Sequence, residues 1–263
     1  MISPGSLVAD IGCDHGYLSI ALINSGQSPR VIACDASLHA IRRAEANIAL
    51  HAQYNDRSQL ETRLSDGLMA LQPGEVEEIS MTGLGVKKMI SIVKSAQPEM
   101  LGSVRAFVLQ PYQPRLKLML SLRQTLWHHG FAVQHESYLQ DLNRQHYLSL
   151  RVARIDATAR GVAELPCERE LLLGPDESVR QHPVTAFVSY LQQQREVVEQ
   201  EAMGMQRGLT RSALGTDEVL RSTGGASAAL STSDTGRWAE VQALEQHNRW
   251  LSIIDDQIRW CAR

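Results

Sequence analysis

Residues 8–17 read VADIGCDHGY, and this stretch decides the fold. The apolar residues before Gly12 indicate a buried strand, Gly12 permits a tight turn, and Gly16 opens a helix that begins at Tyr17. A strand, a glycine turn and a helix in this order are typical of open α/β sheets that bind a nucleotide beyond the carboxyl ends of their strands. The sequence therefore predicts a nucleotide site at this turn.

Strands and helices alternate through the first 155 residues. The predicted strands span 7–11, 30–35, 60–65, 78–82, 106–110, 131–138 and 145–155, and the predicted helices span 17–25, 38–52, 86–95 and 115–129. Such alternation predicts a mostly parallel sheet covered on both faces, and the last two strands must pair antiparallel because no helix separates them. This α/β pattern, a seven-stranded Rossmann-like sheet with a terminal antiparallel hairpin, resembles the class I methyltransferase fold. Dinucleotide oxidoreductases usually continue with another crossover helix.

The chain changes character after residue 155. Residues 156–183 read as a mixed connector between a domain of residues 1–155 and a helical region of residues 184–263. Apolar residues recur at helical spacing in 184–209 and 237–260, which predicts an antiparallel coiled-coil hairpin. The intervening residues 210–236 are rich in Ser, Thr, Gly and Ala, so we expect a flexible loop there.

Composition places the chain among ordinary globular proteins, with 43% hydrophobic and 21% charged residues. No apolar run approaches the roughly 18 residues of a membrane-spanning helix, and the first residues lack the features of a signal peptide, so we expect a cytoplasmic protein. The four cysteines are scattered without a CxxC pair, so we expect neither a metal site nor a disulfide framework. A formal net charge of −3 by itself favours a small-molecule enzyme over a nucleic-acid-binding protein.

Acidic residues lie at the ends of the first three predicted strands. Asp14 in the glycine turn, with Asp10 just before it, would repel a phosphate but hold the ammonium and sulfonium end of S-adenosylmethionine. Asp35 would accept both ribose hydroxyls, and Asp66 with Gly67 would edge the adenine ring. Taken singly, each of these two acids is about equally well explained as a polar strand end in a turn. The cofactor-binding candidates are Asp10, Gly12, Cys13, Asp14, His15, Gly16, Asp35, Ala36, Asp66 and Gly67.

Several segments resemble one known family, in order along the chain. They read ADIGCDHGYLSIAL, CDAS, RLSDGL, SMTGLGVKKMI and FVLQPYQPRLKLMLSLRQTLWHHGFAV, followed by ERELLLGP at residues 168–175. With them the chain resembles the bacterial tRNA (adenine-22-N1)-methyltransferase family, and the DH pair in the glycine turn is the most specific match. The resemblance implies transfer of a methyl group from S-adenosylmethionine to N1 of an adenosine in tRNA, by an enzyme with a coiled-coil appendage.

The sequence departs from the family pattern in places. Gly16 replaces a common Ala, residues 82–86 read TGLGV in place of AGMGG, and Tyr112 stands where Asn is frequent. Family members also begin with a helix before the first strand, so a shortened amino terminus is an open alternative. These departures bear on which nucleotide is modified rather than on the cofactor.

Acceptor-pocket candidates follow the fourth and fifth predicted strands. Gly83 and Gly85 would let a flat base approach the backbone, with a plain strand-to-helix turn as the alternative. Tyr112 would stack on that base, with a packed loop tyrosine as the alternative. Methylation of a ring nitrogen depends on alignment in a dry pocket, so no catalytic base is assigned. The acceptor candidates are Thr82, Gly83, Gly85, Gln110 and Tyr112.

Basic residues concentrate in residues 87–123, where seven lysines and arginines accompany one acid, Glu99. We expect this strip to hold RNA phosphates around a flipped base, with a solvated helix surface as the alternative. The RNA-binding candidates are Lys87, Lys88, Arg115 and Lys117.

Other functions stay open from the sequence. One is a methyltransferase acting on another RNA or on a small molecule, and another is a non-catalytic RNA-binding or nucleotide-sensing scaffold. NAD-dependent oxidoreduction is disfavoured because the turn lacks the phosphate-binding glycine pattern. We expect a monomer, or a weak dimer through the helical hairpin.

Overall fold

The computed structural model describes residues 1–53, 57–143, 145–155, 166–174, 184–222 and 232–262. The strands are β1 (Val8–Ile11), β2 (Val31–Asp35), β3 (Leu60–Leu64), β4 (Glu78–Gly85), β5 (Ala106–Tyr112), β6 (Phe131–Gln140) and β7 (His146–Arg154). The helices are α1 (Tyr17–Asn24), α2 (Leu38–His51), α3 (Val86–Ser95), α4 (Pro98–Ser103), α5 (Leu116–His128), α6 (Glu168–Leu173), α7 (Val184–Ser222) and α8 (Thr232–Cys261). No helix among these residues is long and apolar enough to cross a bilayer.

The seven strands form one sheet in the order β3-β2-β1-β4-β5-β7-β6. Strands β1 to β5 pair in parallel, and β7 runs antiparallel to both of its neighbours, β5 and β6. Strand β6 therefore points the same way as β1 to β5. The ends of these six strands lie at one edge of the sheet, which we call the carboxyl edge. The predicted Rossmann-like sheet with its terminal antiparallel hairpin is confirmed.

The core follows from the strand sequences. All four residues of β1 and the first four of β2 are buried, a pattern typical of parallel strands covered on both faces. Helices α1 and α2 bury Ile20, Ile41 and Ala44 against these strands. The turn between β1 and α1 is thus fixed by packed elements at both of its ends.

The structure extends or adds several elements. Strands β4 and β5 run beyond their predicted ends at residues 82 and 110 because they continue to pair across a register shift, with Gly85 opposite Tyr112. Helix α4 was not predicted, since six residues are too few to show a helical period, although Pro98 at its first turn is a recognised start signal. The predicted connector contains α6, and residues 156–165 and 175–183 lie outside the described part of the chain.

The chain divides into two compact units, Met1–Ala186 and Phe187–Arg263. In the second, Arg195 Nε bonds Asp255 Oδ1 at 2.7 Å and Glu201 Oε2 contacts His247 Nε2 at 3.1 Å. From Arg195 to Glu201 the residue numbers rise along α7, while their contacts on α8 fall from Asp255 to His247. The two helices therefore run antiparallel.

The prediction of a loop over residues 210–236 is wrong in extent. Helix α7 continues to Ser222 and α8 begins at Thr232, while residues 223–231 lie outside the described part of the chain. Residues 210–222 contain Ala, Leu, Arg and Glu, with one glycine and no proline. These helix formers, with no proline to interrupt them, allow the helix to continue, although the Ser, Thr, Gly and Ala content of residues 210–236 indicated a loop. The coiled-coil geometry of this unit stays a prediction.

Candidate functional site

The turn between β1 and α1 is tied to the end of β2. Gly12 N and Cys13 N both donate to Cys34 O, at 2.8 and 3.0 Å. Gly12 has a φ of +79°, and a Cβ built on it would lie 2.8 Å from Leu84 Cδ2. Both the backbone conformation and the close approach therefore require glycine at this position.

Asp10 is the most deeply buried acid of the site, with 1% of its surface exposed. Ser19 Oγ donates to Oδ2 at 2.7 Å, whereas Oδ1 has no hydrogen-bond partner in the described part of the chain. Burial raises the pKa of Asp10 to about 6, hydrogen bonds from Ser19 lower it, and the charge of Asp35 raises it further. A buried, unpaired carboxylate oxygen is costly, and a cationic donor on a ligand would relieve that cost.

Asp35 organises the turn from the end of β2. Its Oδ2 accepts from Asp14 N at 3.2 Å, and its Oδ1 accepts from Ser37 N at 2.8 Å. The Ser37 hydroxyl in turn accepts from Ala40 N and caps α2. The carboxylate is only partly buried, so its remaining lone pairs face the carboxyl edge, where ribose hydroxyls would approach.

The Asp14 carboxylate is partly exposed and contacts two side chains of the chain itself. Arg43 of α2 donates to Asp14 Oδ1, and His15 Nε2 lies 3.5 Å from Asp14 Oδ2. The backbone of Asp14 is left-handed, with a φ of +45°, which asparagine and aspartate tolerate better than most residues. In the described part of the chain Asp10 Oδ1 has no partner, whereas a ligand cation at Asp14 would compete with Arg43, and the predicted role of Asp14 stays a prediction. The role of Arg43 carried no sequence signal, because it comes from a separate helix.

Asp66 and Lys88 pair with each other, at 2.7 Å between Oδ1 and Nζ, although the sequence assigned them to the adenine and to RNA. Both side chains are about half exposed, so the pair contributes little stability and either group can be recruited by a ligand. Gly67 has a φ of +61°, and a Cβ there would lie 3.0 Å from Ile92. The tight turn that follows β3 therefore needs glycine.

The remaining cofactor candidates surround the same turn. The imidazole of His15 stacks on the ring of Tyr17, with centroids 5.5 Å apart and planes 8° from parallel. Gly16 caps α1 with a φ of +72°, Cys13 is buried with its pKa raised to about 12 by burial and by nearby acids, and Ala36 is exposed. The cofactor candidates thus line the ends of β1, β2 and β3.

The acceptor candidates come together through strand pairing. Thr82 lies opposite Gln110 and Gly85 opposite Tyr112, with an irregularity between the two pairs. Gly83 and Leu84 occupy that irregularity, and Gly83 is exposed with a φ of +75°. Leu84, which the sequence did not single out, reaches back over the cofactor turn. We call residues 82–85 with Gln110 and Tyr112 the acceptor segment, and residues 12–16 the cofactor turn. The two are in direct contact through Leu84 and Gly12.

The seven basic residues of the strip, residues 87–123, do not all lie together in the structure. Lys87, Lys88, Arg115 and Lys117 lie at the starts of α3 and α5, on the carboxyl edge, and all four are exposed. The other three lie elsewhere. Lys94 ends α3 at the opposite edge of the sheet, and Arg105, just before β5, pairs with Glu77 at 3.0 Å. Arg123 is buried against Glu136 at 2.7 Å and donates to the carbonyls of α6. Only the four RNA-binding candidates adjoin the acceptor segment.

In the described part of the chain, no three His, Cys, Asp or Glu side chains are grouped to hold a metal ion. Asp10 has an unpaired oxygen and the Asp35 carboxylate is partly exposed, a set of groups that suits an organic cation carrying hydroxyl groups.

Comparisons with known proteins agree with this geometry. A Bacillus subtilis tRNA (adenine(22)-N(1))-methyltransferase is 25% identical over 144 residues, which cover 53% of this chain and 56% of that protein. The matched segment thus spans little more than half of the curated relative. The crystal structure of the B. subtilis m1A22 tRNA methyltransferase TrmK superimposes with a TM-score of 0.70 at 18% identity, covering 98% of this chain and 94% of the other.

A second solved structure, Mycoplasma capricolum TrmK in complex with S-adenosylhomocysteine, has a TM-score of 0.61 at 17% identity and covers 97% of this chain and 94% of the other. At such identities these likenesses show the shared fold. The family model described as a methyltransferase domain matches residues 1–148, which is more than half of the 263 residues. The chain belongs to the methyltransferase-domain family.

Proposed function

We propose that this protein is an S-adenosylmethionine-dependent methyltransferase that modifies N1 of an adenosine in tRNA, at position 22. The observation that carries the proposal is the buried, unpaired Oδ1 of Asp10 beside a glycine-only turn in a methyltransferase-domain chain. That oxygen suits the ammonium group of the methionine moiety, since a cationic donor both pairs it and stabilises its ionised form.

The other cofactor contacts follow from the order of the strand ends. Asp35 would accept the ribose hydroxyls, and Asp66 with Gly67 would border the adenine after leaving its contact with Lys88. S-adenosylmethionine supplies a methyl group already activated by a positively charged sulfur. The protein's own contribution is to hold the acceptor in line and to keep water out.

Leu84 and the acceptor candidates supply that alignment. Leu84 covers the cofactor turn, and the exposed backbone at Gly83 admits a flat base beside it. Tyr112, with 56% of its surface exposed at the end of β5, is available to stack on the base. N1 of adenine has its own lone pair, so we assign no catalytic base.

A tRNA substrate is supported by the relatives and by charge. The related B. subtilis proteins are named as tRNA methyltransferases that act on adenine 22. Lys87, Arg115 and Lys117 present cations beside the acceptor segment, where they would neutralise phosphates. We propose that the enzyme acts on tRNA in the cytoplasm.

The test measures cofactor binding and product separately. Calorimetry should detect S-adenosylhomocysteine binding to the wild type and its loss in Asp10→Ala. Unmodified tRNA transcripts incubated with labelled S-adenosylmethionine should yield N1-methyladenosine on nucleoside mass spectrometry, and a transcript with guanosine at position 22 should not. Cofactor binding without tRNA methylation would refute the tRNA assignment and favour a small-molecule acceptor. Absence of cofactor binding would refute the enzyme assignment.

A further inference from the structure

The hairpin that joins β6 to β7 rises from the carboxyl edge beside the acceptor segment. Strand β7 pairs with β5 as far as Leu109 opposite Leu150, and Gln110 Nε2 lies 3.3 Å from Ser149 Oγ. Continuing this register places Tyr147 next to Tyr112. The hairpin turn lies about three residues farther out, which is about 10 Å at the usual rise of a strand.

The turn of this hairpin is held in shape by one side chain. Asp141 Oδ1 accepts from Asn143 N at 2.9 Å and from Gln145 N at 2.8 Å, and Asp141 N donates to Gln145 O at 3.0 Å. An aspartate that satisfies two backbone donors in this way fixes a turn. The residue between Asp141 and Asn143 therefore projects from a hydrogen-bonded turn.

That residue is Leu142, and its relative accessibility is 103%. A single exposed leucine is common on protein surfaces. This one differs in its setting, because Leu139 and Tyr147 below it are also exposed and Tyr112 stands next to them. Together they form an apolar ridge that leads from the hairpin turn down to the acceptor segment.

The ridge is bordered by cations. Arg115 and Lys117 begin α5 directly after β5, on the same edge of the sheet, and both are exposed. Apolar side chains flanked by exposed cations match a nucleic acid, which offers stacked bases inside a phosphate backbone. The structure thus combines exposed cations at the base of the ridge with an apolar side chain at its summit.

We propose that Leu142 is a wedge that enters the RNA base stack and fills the gap left when the target adenosine turns into the pocket. The inference rests on the proposed function, since it takes a folded RNA as the substrate. An enzyme that acts on a base must first unstack it, and leucine is among the side chains that proteins insert between bases. A turn already closed by hydrogen bonds suits this role because less order is lost on insertion.

The test compares Leu142→Ala with wild type on two RNAs. The first is the folded tRNA whose methylated adenosine has been identified with the wild-type protein. The second is a short single-stranded RNA with the same flanking sequence, in which the target base is already unstacked. We expect kcat/KM of the variant to fall about tenfold on the tRNA, within the range for removing a base-stacking side chain, and to match wild type on the short RNA.

A fluorescent base reports the step directly. With 2-aminopurine in place of the target adenosine, wild type should raise the emission on binding and Leu142→Ala should raise it much less. Leu142→Met, which keeps an apolar wedge, should restore both signals. The matched control is Leu50→Ala, because Leu50 is 75% exposed but lies near the end of α2 at the opposite edge.

The outcomes separate the inference from the proposed function. If wild type transfers no methyl group to tRNA, the proposed function fails and the wedge fails with it. If wild type methylates the tRNA and Leu142→Ala does so at the same rate with the same 2-aminopurine signal, only the wedge is overturned. An equal loss on both RNAs would also overturn it, since a wedge is not needed for an unstacked base.

Discussion

Asp10→Asn should change the pH dependence of stability by an amount that follows from the burial of this one carboxyl. Its pKa rises from 3.8 to about 6 in the folded protein. The folded state therefore holds a proton that the unfolded chain has released, over the pH range between these two values. The free energy of unfolding contributed by Asp10 is greatest below pH 4 and falls as the pH rises toward 6.

The size of the effect is the shift of about two pKa units at about 1.4 kcal/mol each, or about 3 kcal/mol. Asparagine cannot titrate, so its stability relative to wild type should increase by about 2 kcal/mol between pH 4 and pH 7, since the unfolded carboxyl is already more than half ionised at pH 4. The unpaired amide that replaces the carboxylate oxygen imposes a cost of its own. That cost is independent of pH and does not alter the difference between the two pH values.

Urea unfolding followed by circular dichroism, from pH 4 to pH 7 without cofactor, measures this difference. Asp256→Asn is the control, because its carboxylate is mostly exposed and pairs only with Arg259 in the same helix. Parallel stability curves for wild type and Asp10→Asn would refute the assigned burial. The same variant should bind S-adenosylhomocysteine far more weakly than wild type when both are measured by calorimetry.

Three further predictions concern other parts of the first unit. Glu136→Gln removes the negative charge that faces the buried guanidinium of Arg123, so it should lower the free energy of unfolding by about 3–5 kcal/mol. Urea titrations measure this loss, and an unchanged midpoint would disprove it. Lys117→Ala should weaken tRNA binding and reduce the slope of log K against log salt by about one, whereas Lys94→Ala at the opposite edge should leave that slope unchanged in filter-binding assays. Gly12→Ala should abolish cofactor binding in calorimetry, because the turn has a left-handed backbone and no room for a methyl group, and wild-type affinity would contradict that reasoning.

The parts of the fold that local sequence determines were predictable. The glycine turn after β1 and the alternation of strands and helices predicted the sheet and its antiparallel hairpin. They could do so because each strand, helix or turn is indicated by residues that are close together in the sequence. The extension of β4 to Gly85 was not predictable, since it depends on pairing with Tyr112 of another strand. Helix α7 ran past its predicted end, since residues 210–222 contain helix formers and no proline, and composition alone did not show where the helix stops.

The candidate site likewise combines features that local sequence predicts with features that depend on contacts between distant residues. The positions of Asp10, Asp35 and Asp66 at strand ends followed from the element order, but their hydrogen-bond partners did not. Asp14 pairs with Arg43 and Asp66 pairs with Lys88, and in each pair the two residues lie far apart in the sequence. Burial and ion pairing are properties of the packed structure.

The topology of the sheet determines which basic residues of the protein lie near the acceptor segment. A helix that follows a parallel strand begins at the carboxyl edge and ends at the other edge. Exposed basic residues in the first turn of α3 or α5 therefore adjoin the acceptor segment, whereas Lys94, in the last turn of α3, does not. The helix amino terminus also carries a partial positive charge, which adds to the attraction of Lys87 and Lys117 for a phosphate. A chain with a net charge of −3 can thus present a locally cationic face to RNA. Phosphate contacts fix position without reading or unstacking bases, so the wedge proposed at Leu142 would supply the separate step of opening the stack.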